Sequence, residues 1–236
     1  MNYLILAIIS ALSFSHTASA TASLKIDHLS TDTSYNYFSL PNDNETNRVD
    51  LNKLEGQTAF RLFFEKEYQS WSWTLLYAPL TIEYNLTPTK SFLFNNTNFS
   101  ANQSSTISYK FNSYRAGYRR ISRTSFGRFY YGGLLKIRDA KICVSQTSTT
   151  DCYDNVGPVP LLNLGADYSG ELVFLNFNID GLFSSKGSAY DANIEFGFKL
   201  KYFNLGVGVR VLGGGADNET LVNFAQFRST YINITF

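Results

Sequence analysis

From Ala22 to the C-terminus, apolar residues recur at every second position. A period of two makes strands with one apolar and one polar face, and it does not fit helices. In residues 172–180, Val173, Leu175, Phe177 and Ile179 share one face, and Asn176, Asn178 and Asp180 share the other. In residues 192–202 the apolar face is Ala192, Ile194, Phe196, Phe198, Leu200 and Tyr202, opposed by Asn193, Glu195, Gly197, Lys199 and Lys201. Phe129, Tyr131, Leu135 and Ile137 oppose Arg128, Lys136 and Arg138. Leu205, Val207, Val209 and Val211 oppose Gly206, Gly208 and Arg210.

The same alternation also suits a soluble β-sandwich with one wet face. Two features favour another solution. The polar faces carry full charges beside glycines, which fits a polar interior filled by side chains. The apolar faces are long and aromatic, and no helical pattern is available to cover them. A closed barrel in lipid resolves both, because every backbone group pairs and no sheet edge is left. Phe (20) and Tyr (16) are abundant, which suits strands and surfaces with one apolar and one wet end. A mean hydropathy of −0.14 excludes a helical membrane protein. Lys+Arg 20 against Asp+Glu 19 gives a net charge of +1, which offers no electrostatic reason for a nucleic-acid partner.

The connections predict topology. Read back from the C-terminus, 213–226 is long and polar, 203–204 tight, 184–188 intermediate and 169–171 tight. Then 147–155 is long, 122–125 short, 86–103 very long and Asn-rich, 67–70 short and 39–56 long. Short turns at one end and long loops at the other are the habit of bacterial barrels. The segments between them predict an all-β, closed antiparallel transmembrane barrel of about ten strands. Eight is the alternative, with the N-terminal segments forming a plug or lying outside the wall. One segment breaks phase: Ile107, Tyr109 and Phe111 are odd-numbered, whereas Tyr114, Ala116 and Tyr118 are even. Either a β-bulge sits near Asn112–Ser113, or the upper half rises above the membrane, where facing no longer matters.

Residues 1–20 read as a secretory signal, with an apolar run over 4–14 and the small-x-small triplet Ala18-Ser19-Ala20. The apolar run is shorter than the ~20 residues of a spanning helix. Cleavage is expected after Ala20, leaving 21–236 as one barrel domain. Export would place Cys143 and Cys152 in an oxidising compartment, where they are expected to form a disulfide at the shoulders of an outer loop. Trp71 and Trp73, with Tyr68 and Tyr77 nearby, follow a short turn and fit an aromatic girdle at the membrane boundary.

The chain ends Tyr231-Ile-Asn-Ile-Thr-Phe236, with Ile232, Ile234 and Phe236 at alternate places. This resembles the C-terminal strand of bacterial outer-membrane proteins. The segments Leu75-Leu-Tyr-Ala-Pro79, Tyr109-Lys-Phe-Asn-Ser-Tyr-Arg115, Lys136-Ile-Arg-Asp-Ala140 and Gly213-Gly-Gly-Ala-Asp-Asn218 resemble those of small uncharacterised outer-membrane barrels. The resemblance implies insertion by the barrel-assembly machinery and contact with outer-membrane lipids. It implies no activity, and the sequence sets no oligomeric state.

No catalytic set emerges. His16 lies in the signal segment, and His28 stands between Asp27 and Ser30. Neighbouring strand residues point to opposite faces, so Asp27 is not placed to orient His28. The Gly213–Gly215 run lacks the helix and Lys of a phosphate loop. Two thiols without a nearby His are too few for a metal. No cofactor is expected. A lipid A-modifying barrel enzyme is the least favoured alternative.

The remaining constellation is inward charge. Parity points Arg61, Glu65, Arg115, Arg119, Lys136, Arg138, Asp167, Asp180, Glu195, Lys199 and Arg210 into the lumen. Cations outnumber anions there by seven to four. One reading is a charged, side-chain-filled barrel with a structural or loop-mediated surface role. The other is a narrow anion-leaning channel.

Overall fold

The computed structural model describes residues 20–40, 47–184, 187–217 and 221–236. Residues 1–19 of the expected signal lie outside the described residues. Fifteen strands follow in order. The first eight are β1 (Thr21–Thr33), β2 (Asn36–Ser39), β3 (Val49–Leu51), β4 (Gln57–Glu67), β5 (Trp71–Ala78), β6 (Thr81–Leu86), β7 (Phe92–Phe94) and β8 (Thr97–Phe99). Then come β9 (Ser105–Thr124), β10 (Gly127–Gln146), β11 (Thr149–Ser169), β12 (Val173–Ser184), β13 (Gly187–Lys199), β14 (Asn204–Asp217) and β15 (Val222–Thr235).

Ten of these strands form the wall, in the order β1-β4-β5-β9-β10-β11-β12-β13-β14-β15, every neighbour antiparallel. β15 returns to β1, from Lys25 opposite Thr235 up to Thr33 opposite Phe227. Phe236 continues the closure, exchanging backbone bonds of 3.0 and 3.1 Å with Leu24. This is the ten-stranded barrel that the connections predict. The end with the chain termini and short turns is termed the inner end here, and the opposite end the outer end.

The outer end corrects several expectations. No bulge interrupts β9 at Asn112–Ser113: its pairing with β10 runs without a shift from Gly127 opposite Thr124 to Ser145 opposite Thr106. The odd face of β9 points inward throughout, and only its chemistry changes, from Arg119 and Arg115 to Phe111, Tyr109 and Ile107. The extra residue sits elsewhere. Thr33 faces Phe227 and Tyr37 faces Phe224, so four steps on one strand match three on the other, and β2 continues β1 beyond a bulge. The expected long loop at 147–155 is a two-residue turn, Thr147-Ser148, because β10 and β11 remain paired to Gln146 and Thr149. The 213–226 connection is likewise mostly strand, paired as far as Asp217 opposite Val222. Within the Asn-rich stretch, β7 and β8 form a hairpin that buries Phe92, Phe94 and Phe99. Asp151 on β11 anchors it, accepting bonds from Asn95 Nδ2 at 3.0 Å and Asn96 N at 3.4 Å. The Asn95 amide holds the Asp151 carboxyl below the usual carboxylate range.

A belt of outward apolar residues surrounds the wall. On β10 it runs from Phe129 through Tyr131 and Leu135 to Ile137. Eight steps at 3.3 Å, tilted by ~40°, give a height of roughly 20 Å, close to the apolar band of a membrane barrel. Just above it the outward residues become charged, with Lys110 paired to Asp139 at 2.6 Å. Trp71, Trp73 and Tyr77 lie on β5 with their rings in contact with neighbours: Trp71 on Tyr68 at 4.0 Å, Trp73 on Phe64 at 5.2 Å, Tyr77 on Tyr114 at 5.1 Å. Ile232, Ile234 and Phe236 are exposed on the outer surface.

Cys143 and Cys152 are directly opposite across β10 and β11, bonded, with Cα atoms 4.1 Å apart. Reducing the disulfide should lower stability by at most about 2–3 kcal/mol, the loop-entropy value for so short a loop, and leave the barrel folded. Equilibrium unfolding with and without reductant reads this directly. Thr147 adopts a left-handed backbone, φ 49°. Thr147→Gly should raise stability by about 1 kcal/mol in the same measurement.

Candidate functional site

The inward residues build two layers. The layer nearer the inner end is ionic. Asp191 on β13 receives a fork from Arg210 on β14, Nε to one oxygen and Nη2 to the other, both at 2.8 Å. Arg115 on β9 spans the lumen to the same carboxylate at 2.7 Å, and it reaches Asp180 on β12 at 2.6 Å. Asn163 on β11 donates to Asp180. Arg61 on β4 pairs with Asp27 on β1.

A second group lies nearer the mouth. Glu65 on β4 accepts from Ser72 on β5 at 2.6 Å and faces Arg128 at 3.3 Å and Arg119 at 3.6 Å. Arg128 Nε donates to Asp167 at 2.6 Å. Lys25 crosses to Glu195 at 2.8 Å, which also accepts from Tyr231 on β15 at 3.2 Å. Lys199 is half-buried and donates to the Gly170 carbonyl at 2.8 Å. These contacts touch every strand of the wall.

Glycines make room for the long side chains. A Cβ at Gly165 would overlap the Tyr130 ring, and one at Gly208 the Tyr231 ring. Each tyrosine lies over the glycine that it faces on the neighbouring strand. Among the ions and the inner mouth is a cavity of about 230 Å³, lined by Lys25, Arg119, Tyr130, Asn176 and Glu195, among others.

The layer above is apolar. Ile107, Tyr109 and Phe111 from β9 meet Ile142 and Val144 from β10, and Leu212, Ala225 and Phe227 from β14 and β15. The outer connections fold down onto them: Phe38, Val49 and Leu51, then Leu80, Ile82 and Tyr84, then Phe92, Phe94 and Phe99. Tyr84 is fully buried, and its hydroxyl accepts from Asn36 Nδ2 at 2.6 Å. This cluster packs side chains from the wall and from the outer connections together at the outer end.

Lys136 stands at the junction of the two layers. It is 1% exposed, its Nζ is 4.7 Å from the Phe111 ring centre, and no carboxylate pairs with it among the described residues. Arg138, one inward step higher, buries an Nε without a hydrogen-bond partner.

Sequence parity did not include Lys25, Asp27, Arg128 and Asp191 in the inward set. Asp191 extends the Asn193–Glu195 face by one step, and Asp27 is the inward neighbour of outward His28, so both were accessible to the same argument. His28 faces away from the lumen, opposite Phe60 on β4 and Ile232 on β15. No group of three or more His, Cys, Asp or Glu suited to a metal occurs among the described residues.

Paired and unpaired cations should respond in opposite ways. Arg115→Ala leaves the buried Asp180 carboxylate without its cation and Asp191 with Arg210 alone, and should destabilise the barrel by about 3 kcal/mol. Lys136→Met removes a cation with no anionic partner and should leave stability unchanged or raised. Urea unfolding in lipid vesicles measures both.

No protein-family model matches this chain, and no curated protein sequence matches it. Among solved structures it is similar to Ail, the attachment invasion locus protein of Yersinia pestis, at 9% identity and TM-score 0.41 over 93% of this chain and 100% of that one. The transport unit of the autotransporter AIDA-I from Escherichia coli gives 8% and 0.47 over 99% and 96%. The P. putida toluene transporter TodX gives 10% and 0.34 over 96% and 91%. Likenesses this distant carry no argument, and the barrel rests on its own ladder of pairings.

Proposed function

We propose that this chain is an exported outer-membrane barrel whose lumen is sealed, and that it acts through the structure it raises at the cell surface. In this reading the signal segment is cleaved after Ala20, the barrel-assembly machinery inserts the mature chain through its Ile232–Phe236 strand, and the belt contacts outer-membrane lipids. The carrying observation is the apolar cluster that closes the outer end above the ionic layer. A conduction path needs polar lining along its whole length, because a dry apolar constriction excludes ions. Here three outer connections pack side chains into the bore where a pore would have to open.

The interior charges act as a structural core, and catalysis is not part of the reading. The ions pair across strands, as buried charges must to offset desolvation. His28, the histidine left after signal cleavage, points to lipid and not toward Asp27. The rigid platform is built from the outer halves of β9, β10 and β11, each of 20 or 21 residues. A spanning strand needs only ~9–11. The surplus stands above the belt and holds the β7–β8 hairpin.

Planar-bilayer recording of the purified barrel tests the reading. It predicts no discrete conductance steps. Small anion-selective steps would replace it with the narrow channel that the excess of inward cations allows. Fractionation with heat-dependent gel mobility tests location, and recovery as a soluble protein with no mobility shift would reject it.

A further inference from the structure

The outer end carries a groove that the sealed lumen does not use. It lies between the β2–β3 hairpin and the chain after β6, encloses about 770 Å³, and is lined by Tyr35, Arg48, Asp50, Asn52 and Lys90, with Thr87 and Thr89 on its rim. Its floor is firm, because Val49 and Phe92 belong to the apolar cluster.

Arg48 is fixed in advance. Its Nε and Nη2 donate to the same Asp50 oxygen at 2.9 and 2.8 Å, and Nη2 also donates to the Tyr35 hydroxyl. The guanidinium lies 4.0 Å over the Tyr37 ring, which stacks on Phe224. Among the described residues Arg48 Nη1 and Asp50 Oδ2 make no hydrogen bond, which leaves a donor beside an acceptor. Asn52 adds an amide whose Nδ2 also donates to the Asn85 carbonyl at 3.4 Å, and half of Tyr35 is open to solvent. Lys90 has no ion-pair partner among the described residues. Fixing Arg48, Asp50 and Tyr35 before binding removes much of their ordering cost.

The combination selects a ligand class. A sugar ring offers an apolar C–H face that covers an aromatic ring. Its neighbouring hydroxyls both donate and accept, which matches the Arg48–Asp50 edge and the Asn52 amide. Lys90, exposed and without an ion-pair partner among the described residues, is placed to pair with one negative group on that sugar. A protein partner would need a broad surface of ~1,000 Å² or more, and an amphipathic helix would need an apolar groove. We infer that this groove binds a saccharide bearing a carboxylate or phosphate. The inference rests on the loop-mediated surface role proposed above. The ligand would come from a glycolipid headgroup in the same leaflet or from a glycan outside the cell.

Calorimetry on the full barrel in detergent micelles tests this with three probes: trigalacturonate, neutral maltotriose, and lipid-free core oligosaccharide of lipopolysaccharide. Saturable binding of an acidic probe is expected, stronger than that of maltotriose. Tyr35→Ala should weaken it by about tenfold or more, near the 1.4 kcal/mol of a lost stacking contact. Lys90→Gln should weaken the acidic probes severalfold and leave maltotriose unchanged. Heat-dependent mobility of both variants should match the parent. Binding of the core oligosaccharide alone assigns the headgroup source, and binding of trigalacturonate as well assigns free acidic glycans. Absence of saturable binding by any probe, or binding untouched by both substitutions, overturns the inference. Conductance steps beside intact saccharide binding would reject the sealed-lumen reading and spare this one.

Discussion

The Asp191 carboxylate is the interaction on which the rest of the barrel turns. It sits 2% exposed inside a membrane wall, where an unpaired charge would cost several kcal/mol. Both of its oxygens are taken by Arg210, and Arg115 reaches it from the far wall. The Arg115 link runs on to Asp180 and Asn163, joining β9 to β11, β12, β13 and β14. A barrel of ten strands is too wide to be filled by short side chains, and this network supplies the cross-bracing.

The same constraint explains the rest of the bore. Long inward side chains need space, and Gly165 and Gly208 provide it for the Tyr130 and Tyr231 rings that pack among the ions. Ion pairs need a dry lid to keep their strength, since screening by water weakens them. The apolar layer from Phe111 upward is that lid. Lys136 lies at the border, 1% exposed, with no carboxylate partner among the described residues and its Nζ over the Phe111 ring.

Strand phase and topology were legible in the chain because one face meets lipid along almost every strand. Lipid leaves no ambiguity about which side is apolar, so parity alone locates the wall. The outer end was harder to read for the same reason. Above the belt the outward face is wet and the inward face is dry, which reverses the pattern that served below. The odd-numbered Ile107, Tyr109 and Phe111 looked like a change of face, but they are a change of surroundings on an unbroken strand. The Asn- and Thr-rich connections hid a second core for a related reason. Phe92, Phe94 and Phe99 are spaced among polar residues, and nothing local marks them as buried. Asp191 and Asp27 escaped through strand ends drawn one step too short and through attention to His28.

In the proposed reading the interior of the barrel serves rigidity and its outer end serves display. That account depends on the ionic layer acting as one coupled unit. A double-mutant cycle on Asp191→Asn and Arg210→Met, read by urea unfolding in vesicles, tests it most directly. The account predicts a coupling free energy of about 2 kcal/mol or more. Additive effects, with coupling within about 0.5 kcal/mol of zero, would contradict it.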